Sequence, residues 1–158
     1  MGGYRNGGPG FQPRYGQQQQ AERQQKQASP LLTGDNYVDI AENAVKALKD
    51  KKGNNNRPIE MLTTSQIRNL LAMTADIYNE VVSDNSDKLS RETLERINYL
   101  RIRFVYEAGR EPKVNNFVQE ANLINYLKKA AESKKEYILF SRYMEALVAY
   151  HRYYGGKD

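Results

Sequence analysis

Three arginines at seven-residue intervals, Arg96, Arg103 and Arg110, are interleaved with Tyr99 and Tyr106. A guanidinium fork grips phosphate oxygens at two points, and a tyrosine ring offers a stacking surface to an unpaired base. The set could therefore hold single-stranded RNA. The same pattern also suits an ordinary solvated helix face, with the arginines paired to Glu92, Glu95 or Glu107. Catalysis has less to work with. Cysteine is absent, which excludes disulfides, thiolate zinc sites and a thiol nucleophile. His151 is the single histidine, and it shares a helix face with Phe140, Tyr143, Met144, Leu147 and Tyr154, which marks a core or rim residue. No P-loop, HExxH or Gly-rich dinucleotide turn occurs, and Asp84 and Asp87 sit in a polar loop rather than a pocket. The expectation is a protein that is not an enzyme, with no catalytic residue, metal site, cofactor or small-molecule substrate.

The elements that must position these residues read as helices. The chain has 158 residues and carries 24 lysines and arginines against 19 acidic residues, a net charge of +5. That length predicts one ordinary domain. No apolar run is long enough to span a membrane, and residues 1–5 have no apolar signal core, so a cytoplasmic protein is expected. Residues 1–34 read as a disordered Gly/Gln/Arg-rich tail and 35–158 as a helical domain. The tail's Arg and Tyr, spaced by Gly, could touch RNA or belong to a simple solubilising extension.

Apolar residues step by three and four from Tyr37 to Leu48, predicting a first helix over about 36–51. The loop Gly53–Pro58, flanked by Lys49, Lys51, Lys52 and Arg57, reads as mobile. Thr63 and Gln66 form a capping box for a second helix, whose stripe runs from Ile67 to Val81. Ser90 caps a third helix, stopped at Gly109, and Pro112 opens a fourth that runs through Leu127. Ser133 and Glu136 start a fifth, which ends at Gly155-Gly156. The fold class is all-α, a compact bundle of about five helices. On the third helix Leu94, Ile97, Phe104, Val105 and Ala108 read as the apolar face, with Arg101 in its middle. A charge there calls for a carboxylate partner, or else a subunit or RNA contact. Tyr150, Tyr153 and Tyr154 are a large aromatic group for a small core, and could serve self-association.

Three blocks carry a family resemblance: Leu62 to Leu71 (LTTSQIRNLL), Tyr99 to Glu111 (YLRIRFVYEAGRE) and Arg142 to Tyr150 (RYMEALVAY). In this order and spacing they strongly resemble the small subunit of the type III-A CRISPR (Csm) interference complex. Asp35 to Ala41 and Tyr153 to Asp158 resemble streptococcal-type members, so the resemblance spans about 35–158. It implies a non-catalytic helical subunit of which several copies stack head to tail as an inner filament along the crRNA–target RNA duplex. The implied partners are crRNA, target RNA, the backbone and large subunits of the Csm complex, and other copies of the chain, in antiviral or antiplasmid defence. The family associates RNA cleavage with the backbone subunits, and single-stranded DNA cleavage and cyclic oligoadenylate synthesis with the large subunit.

With that resemblance, Arg103 and Arg110 become candidates for phosphate contact. Arg68 in the second-helix block, Arg142 at the head of the fifth-helix block, and Lys52 beside its loop join them. Arg101 remains a candidate that also suits a structural ion pair. Binding along an arbitrary duplex must be independent of sequence. Two rival readings stay open: a structural adaptor between protein subunits with little RNA contact, and a helical ribonuclease dependent on His151.

Overall fold

Six helices lie among the residues that the computed structural model describes, 29–158. They are α1 (Tyr37–Asp50), α2 (Thr64–Ser83), α3 (Arg91–Arg110), α4 (Pro112–Glu120), α5 (Leu123–Ala130) and α6 (Lys134–Tyr153). No strand occurs among them beyond one isolated bridge between Lys52 and Pro58. No described helix is long and apolar enough to cross a membrane.

The last helix is the centre of the bundle. α6 packs on α1, α2 and α5, while α3 closes the other side against α2, α4 and α5. Tyr137, Phe140, Tyr143, Met144 and Leu147 of α6 are all buried, and each such side chain contributes about 1.5–3 kcal/mol by leaving water. A buried phenol must place its hydroxyl. Tyr137 donates to the Thr74 carbonyl at 2.8 Å and Tyr143 to the Ala121 carbonyl at 2.9 Å. Burial pushes both phenol pKa values well above their ordinary range.

Local chemistry sets the helix ends. The Thr63 hydroxyl accepts from the Gln66 amide at 3.2 Å, and the Gln66 side chain accepts from the Thr63 amide at 2.7 Å. That reciprocal pair is the capping box expected from the sequence. Ser90 and Ser133 cap α3 and α6 through their hydroxyls. Pro112 starts α4 as expected.

Three expectations change. The single fourth helix is two helices, because Asn122 adopts the left-handed conformation (φ 51°, ψ 35°) between Ala121 and Leu123. Asparagine tolerates that region better than most residues, and its Oδ1 accepts from Asn125 at 2.7 Å. Gly109 does not stop α3, which continues to Arg110 and ends where Glu111, held extended before Pro112, caps it. The 53–58 loop is closed: Gly53 N–H donates to the Arg57 carbonyl at 2.9 Å and Ile59 N–H to the Lys51 carbonyl at 3.0 Å.

The packed unit begins at Leu31. Leu32, within the stretch read as tail, is buried in the core, and the Thr33 carbonyl accepts from Tyr37 N–H at 3.2 Å as α1 begins. The rest of the expected tail, 1–28, lies outside the described residues.

At the C-terminal end His151 is buried, in line with the reading of a core histidine. Its Nε2 lies 2.7 Å from the Leu62 carbonyl, which can only accept, so Nε2 carries the proton and Nδ1 is left bare, with no partner among the described residues. Gly155 (φ +93°) turns the chain back, and Gly156 lies against the imidazole. The Lys157 carbonyl then accepts from Thr64 N–H, in the first turn of α2, at 2.9 Å. The final residues thus tie the C-terminal end of α6 to the N-terminal end of α2.

Candidate nucleic-acid interface

The core-facing side of α3 consists of Thr93, Ile97, Leu100, Phe104 and Glu107. It is rotated from the face read off the sequence: Val105 is 54% exposed, and Ile102, Tyr99 and Tyr106 are exposed beside it. The rotation follows from packing on α2, α4 and α5, which takes the Leu100 and Glu107 side inward. Arg101 therefore lies on the flank of the buried face, half-buried, and makes no ion pair among the described residues. The expected structural ion pair is not formed, because the long side chain can reach water from that flank.

Arg96, Arg103 and Arg110 lie on the opposite flank, towards α2. Arg96 pairs with Glu80 of α2, and Glu80 also accepts from the Thr93 hydroxyl at 2.6 Å. The Thr93 hydrogen bond, helped by Arg96, holds the Glu80 carboxyl below its ordinary pKa. About three turns on, Glu107 accepts from Arg110 at 2.9 Å, and Arg103 lies 3.7 Å from its other oxygen. The Arg110 guanidinium also lies 5.9 Å from the Tyr106 ring, a cation–π approach.

Two cavities line this α2–α3 seam. One of about 500 Å³ carries Arg96, Arg103 and Tyr99, but also Asp76, Glu92 and Glu95. The other, about 320 Å³, brings Gln66 and Asn69 of α2 against Glu107 and Arg110. The seam is mixed in charge rather than a basic trough. The charge arrangement includes the ion pairs that the bland reading of this face required, with Glu107 the common acceptor for two arginines.

The six sequence candidates do not converge on one patch. Arg103 and Arg110 share a carboxylate. Arg68 on α2 and Arg142 on α6 are exposed, line neither cavity and make no ion pair among the described residues. Lys52 is exposed on the closed loop. The sequence reading missed the Arg96–Glu80 tie between helices, which has no local signal. It gave Glu107 only as one possible partner, although its i−4 and i+3 spacing to Arg103 and Arg110 was legible. Among the described residues no group of three His, Asp or Glu could hold a metal ion. Tyr154 stacks on Tyr150 at 6.2 Å and donates to Glu42 at 2.5 Å, so of the terminal tyrosines Tyr153 is the one left largely in solvent.

Comparison with known proteins places the chain in context. The family model described as Csm2 Type III-A matches residues 34–157. The chain is 43% identical over 129 residues to the CRISPR system Cms protein Csm2 of Streptococcus thermophilus, covering 81% of this chain and 98% of that one. It is 40% identical over 124 residues to the protein of the same name in Mycobacterium tuberculosis (strain CDC 1551 / Oshkosh), covering 78% and 95%. The Csm2 protein of Enterococcus italicus is 34% identical over 113 residues, covering 69% and 80%.

Proposed function

The chain belongs to the Csm2 type III-A family, the small subunits of the CRISPR type III-A Csm complex, and from that premise we propose that it binds RNA without sequence preference inside the complex. Several copies stack as an inner filament along the crRNA–target RNA duplex, each gripping backbone phosphates and performing no chemistry of its own. The observation that carries this reading is the pair Arg103 and Arg110, whose side chains stay partly exposed on one flank of α3 beside the exposed rings of Tyr99 and Tyr106. Arg68, Arg142, Lys52 and Arg101 are exposed or half-exposed cations with no ion pair among the described residues, and they serve as further phosphate contacts at other points of the assembly.

Phosphate contact has a measurable signature. For single strands the logarithm of affinity falls with the logarithm of salt by about 0.7 per neutralised phosphate. Titrating labelled RNA of arbitrary sequence with the full chain at several salt concentrations should give a steep slope. The Arg103→Ala/Arg110→Ala variant should bind more weakly and flatten that slope by about 1.4, one step per lost contact. A slope and affinity identical to the unaltered chain would reject the site.

A second reading is a structural adaptor between protein subunits. It is favoured by the mixed charge of the seam and by Ile102 and Val105, apolar side chains exposed on the same helix. Under it, charge reversal at Arg68 or Arg103 leaves the target-RNA affinity of the reconstituted complex intact.

A further inference from the structure

We propose that Glu107 is a positioning residue that sets the two arginines for phosphate binding; this rests on the RNA reading of Arg103 and Arg110 given above. The decisive feature is the contrast in exposure within one ion-paired group. The Glu107 side chain is only 10% exposed, whereas Arg103 is 43% and Arg110 is 64% exposed. The carboxylate lies beneath its arginines and not beside them. An approaching anion therefore meets two cations and not the acid that holds them.

Helix geometry explains how one carboxylate serves both. Arg103 is one turn before Glu107 and Arg110 one turn after, so all three lie along one edge of α3. Their Cα atoms place the arginines about 10 Å apart. A carboxylate has two oxygens, and each faces a different guanidinium. The neutral polar groups Gln66 and Asn69 of α2 line the same cavity, and Glu111 adds a second carboxylate at its α4 end. Long arginine side chains lose considerable rotamer freedom when a ligand fixes them. Arginines already held by Glu107 have lost much of that freedom before RNA arrives, which is preorganisation in the ordinary sense.

The proposal and its rival predict opposite signs. If Glu107 merely offsets positive charge, removing it strengthens RNA binding, by about threefold for one unit charge some 7 Å from a phosphate in water. If it positions the arginines, Glu107→Ala weakens binding about fivefold, the cost of restraining side chains that are no longer held. The experiment is a double-mutant cycle with the full chain and a labelled single-stranded RNA at low salt: unaltered chain, Glu107→Ala, Arg103→Ala/Arg110→Ala, and all three changes together. The expected result is weaker binding on Glu107→Ala in the unaltered background, and none of that weakening once both arginines are gone. Stronger binding, or an equal loss in both backgrounds, overturns the positioning role while leaving the arginine site standing. Binding unaffected by Arg103→Ala/Arg110→Ala, or no binding by the unaltered chain, overturns the RNA reading itself. Glu107→Gln keeps the size and one acceptor. If the alanine variant loses its helical circular dichroism, the glutamine variant carries the same cycle with a loss of about twofold expected.

Discussion

Replacing Gly156 with alanine tests the C-terminal closure of the bundle directly. A Cβ at this position would sit 2.1 Å from Cε1, 2.3 Å from Nδ1 and 2.8 Å from Nε2 of His151. These are atoms of a rigid, buried ring and not the free end of a flexible chain. The ring cannot retreat cheaply, because its Nε2–H is bonded to the buried Leu62 carbonyl. Displacing it would strand a buried donor and acceptor at about 1–3 kcal/mol each. The other route lifts the last residues away. That forfeits three hydrogen bonds: Thr64 N–H to Lys157 O, Gly156 N–H to His151 O, and Arg152 to Gly156 O. At about 1 kcal/mol each, both routes cost about 3 kcal/mol. For a unit of this size each kcal/mol moves the midpoint by about 3–4 °C, so Gly156→Ala should lower Tm by about 10 °C in a circular dichroism melt. A chain ending at Gly155 should lose a similar amount, since it lacks the same three bonds. A Tm within about 2 °C of the unaltered chain would refute the reasoning, because it would mean the closing segment contributes nothing to the fold.

Two further outcomes follow from the buried polar groups and the helix break. Burial, reinforced by Arg152 and opposed by the Leu62 hydrogen bond, holds the His151 pKa below its ordinary 6.5. Above pH 6.5 the imidazole is neutral folded or unfolded and stability is full; as pH falls below 6.5 the unfolded chain takes up a proton that the folded one resists, so stability drops by up to about 1.4 kcal/mol per pH unit. Urea midpoints measured from pH 7.5 to 5.0 should show that decline, and a flat profile in that window would contradict it. Asn122→Val should cost about 1–2 kcal/mol by urea unfolding, because a β-branched residue resists the left-handed conformation. Asn122→Gly should be close to neutral, gaining backbone freedom of conformation and losing the bond from Asn125.

What the sequence disclosed and what it withheld divide along local and non-local causes. The capping box at Thr63 and Gln66, the proline start of α4 and the glycine turn after α6 depend on residues a few positions apart, and all were legible. The stripe of α2 was legible because its apolar residues are unambiguous. On α3 the pattern was ambiguous: Val105 and Ala108 competed with Leu100 for the inward face, and only packing on α2, α4 and α5 decided the rotation. That choice carried Arg101 out to a flank and Glu107 inward. The break at Asn122 was hidden because Ala121, Ile124 and Leu127 keep a helical rhythm across it. At the candidate site, the residue types were visible and the pairing was not, since Glu80 reaches Arg96 from another helix.

The central place of α6 also bears on the order in which the protein can form during synthesis. Among the described helices it is the last to be made, yet it supplies the surface on which α1, α2 and α5 bury their apolar sides. Until Phe140, Tyr143 and Leu147 are available, α1 and α2 lack this partner, and their contacts with α6 span long stretches of chain. Such non-local closure slows folding and leaves apolar stripes open on the nascent chain. A chain arrested before Ser133 should therefore remain a target for chaperones and proteases, and productive folding should commit late, when α6 docks.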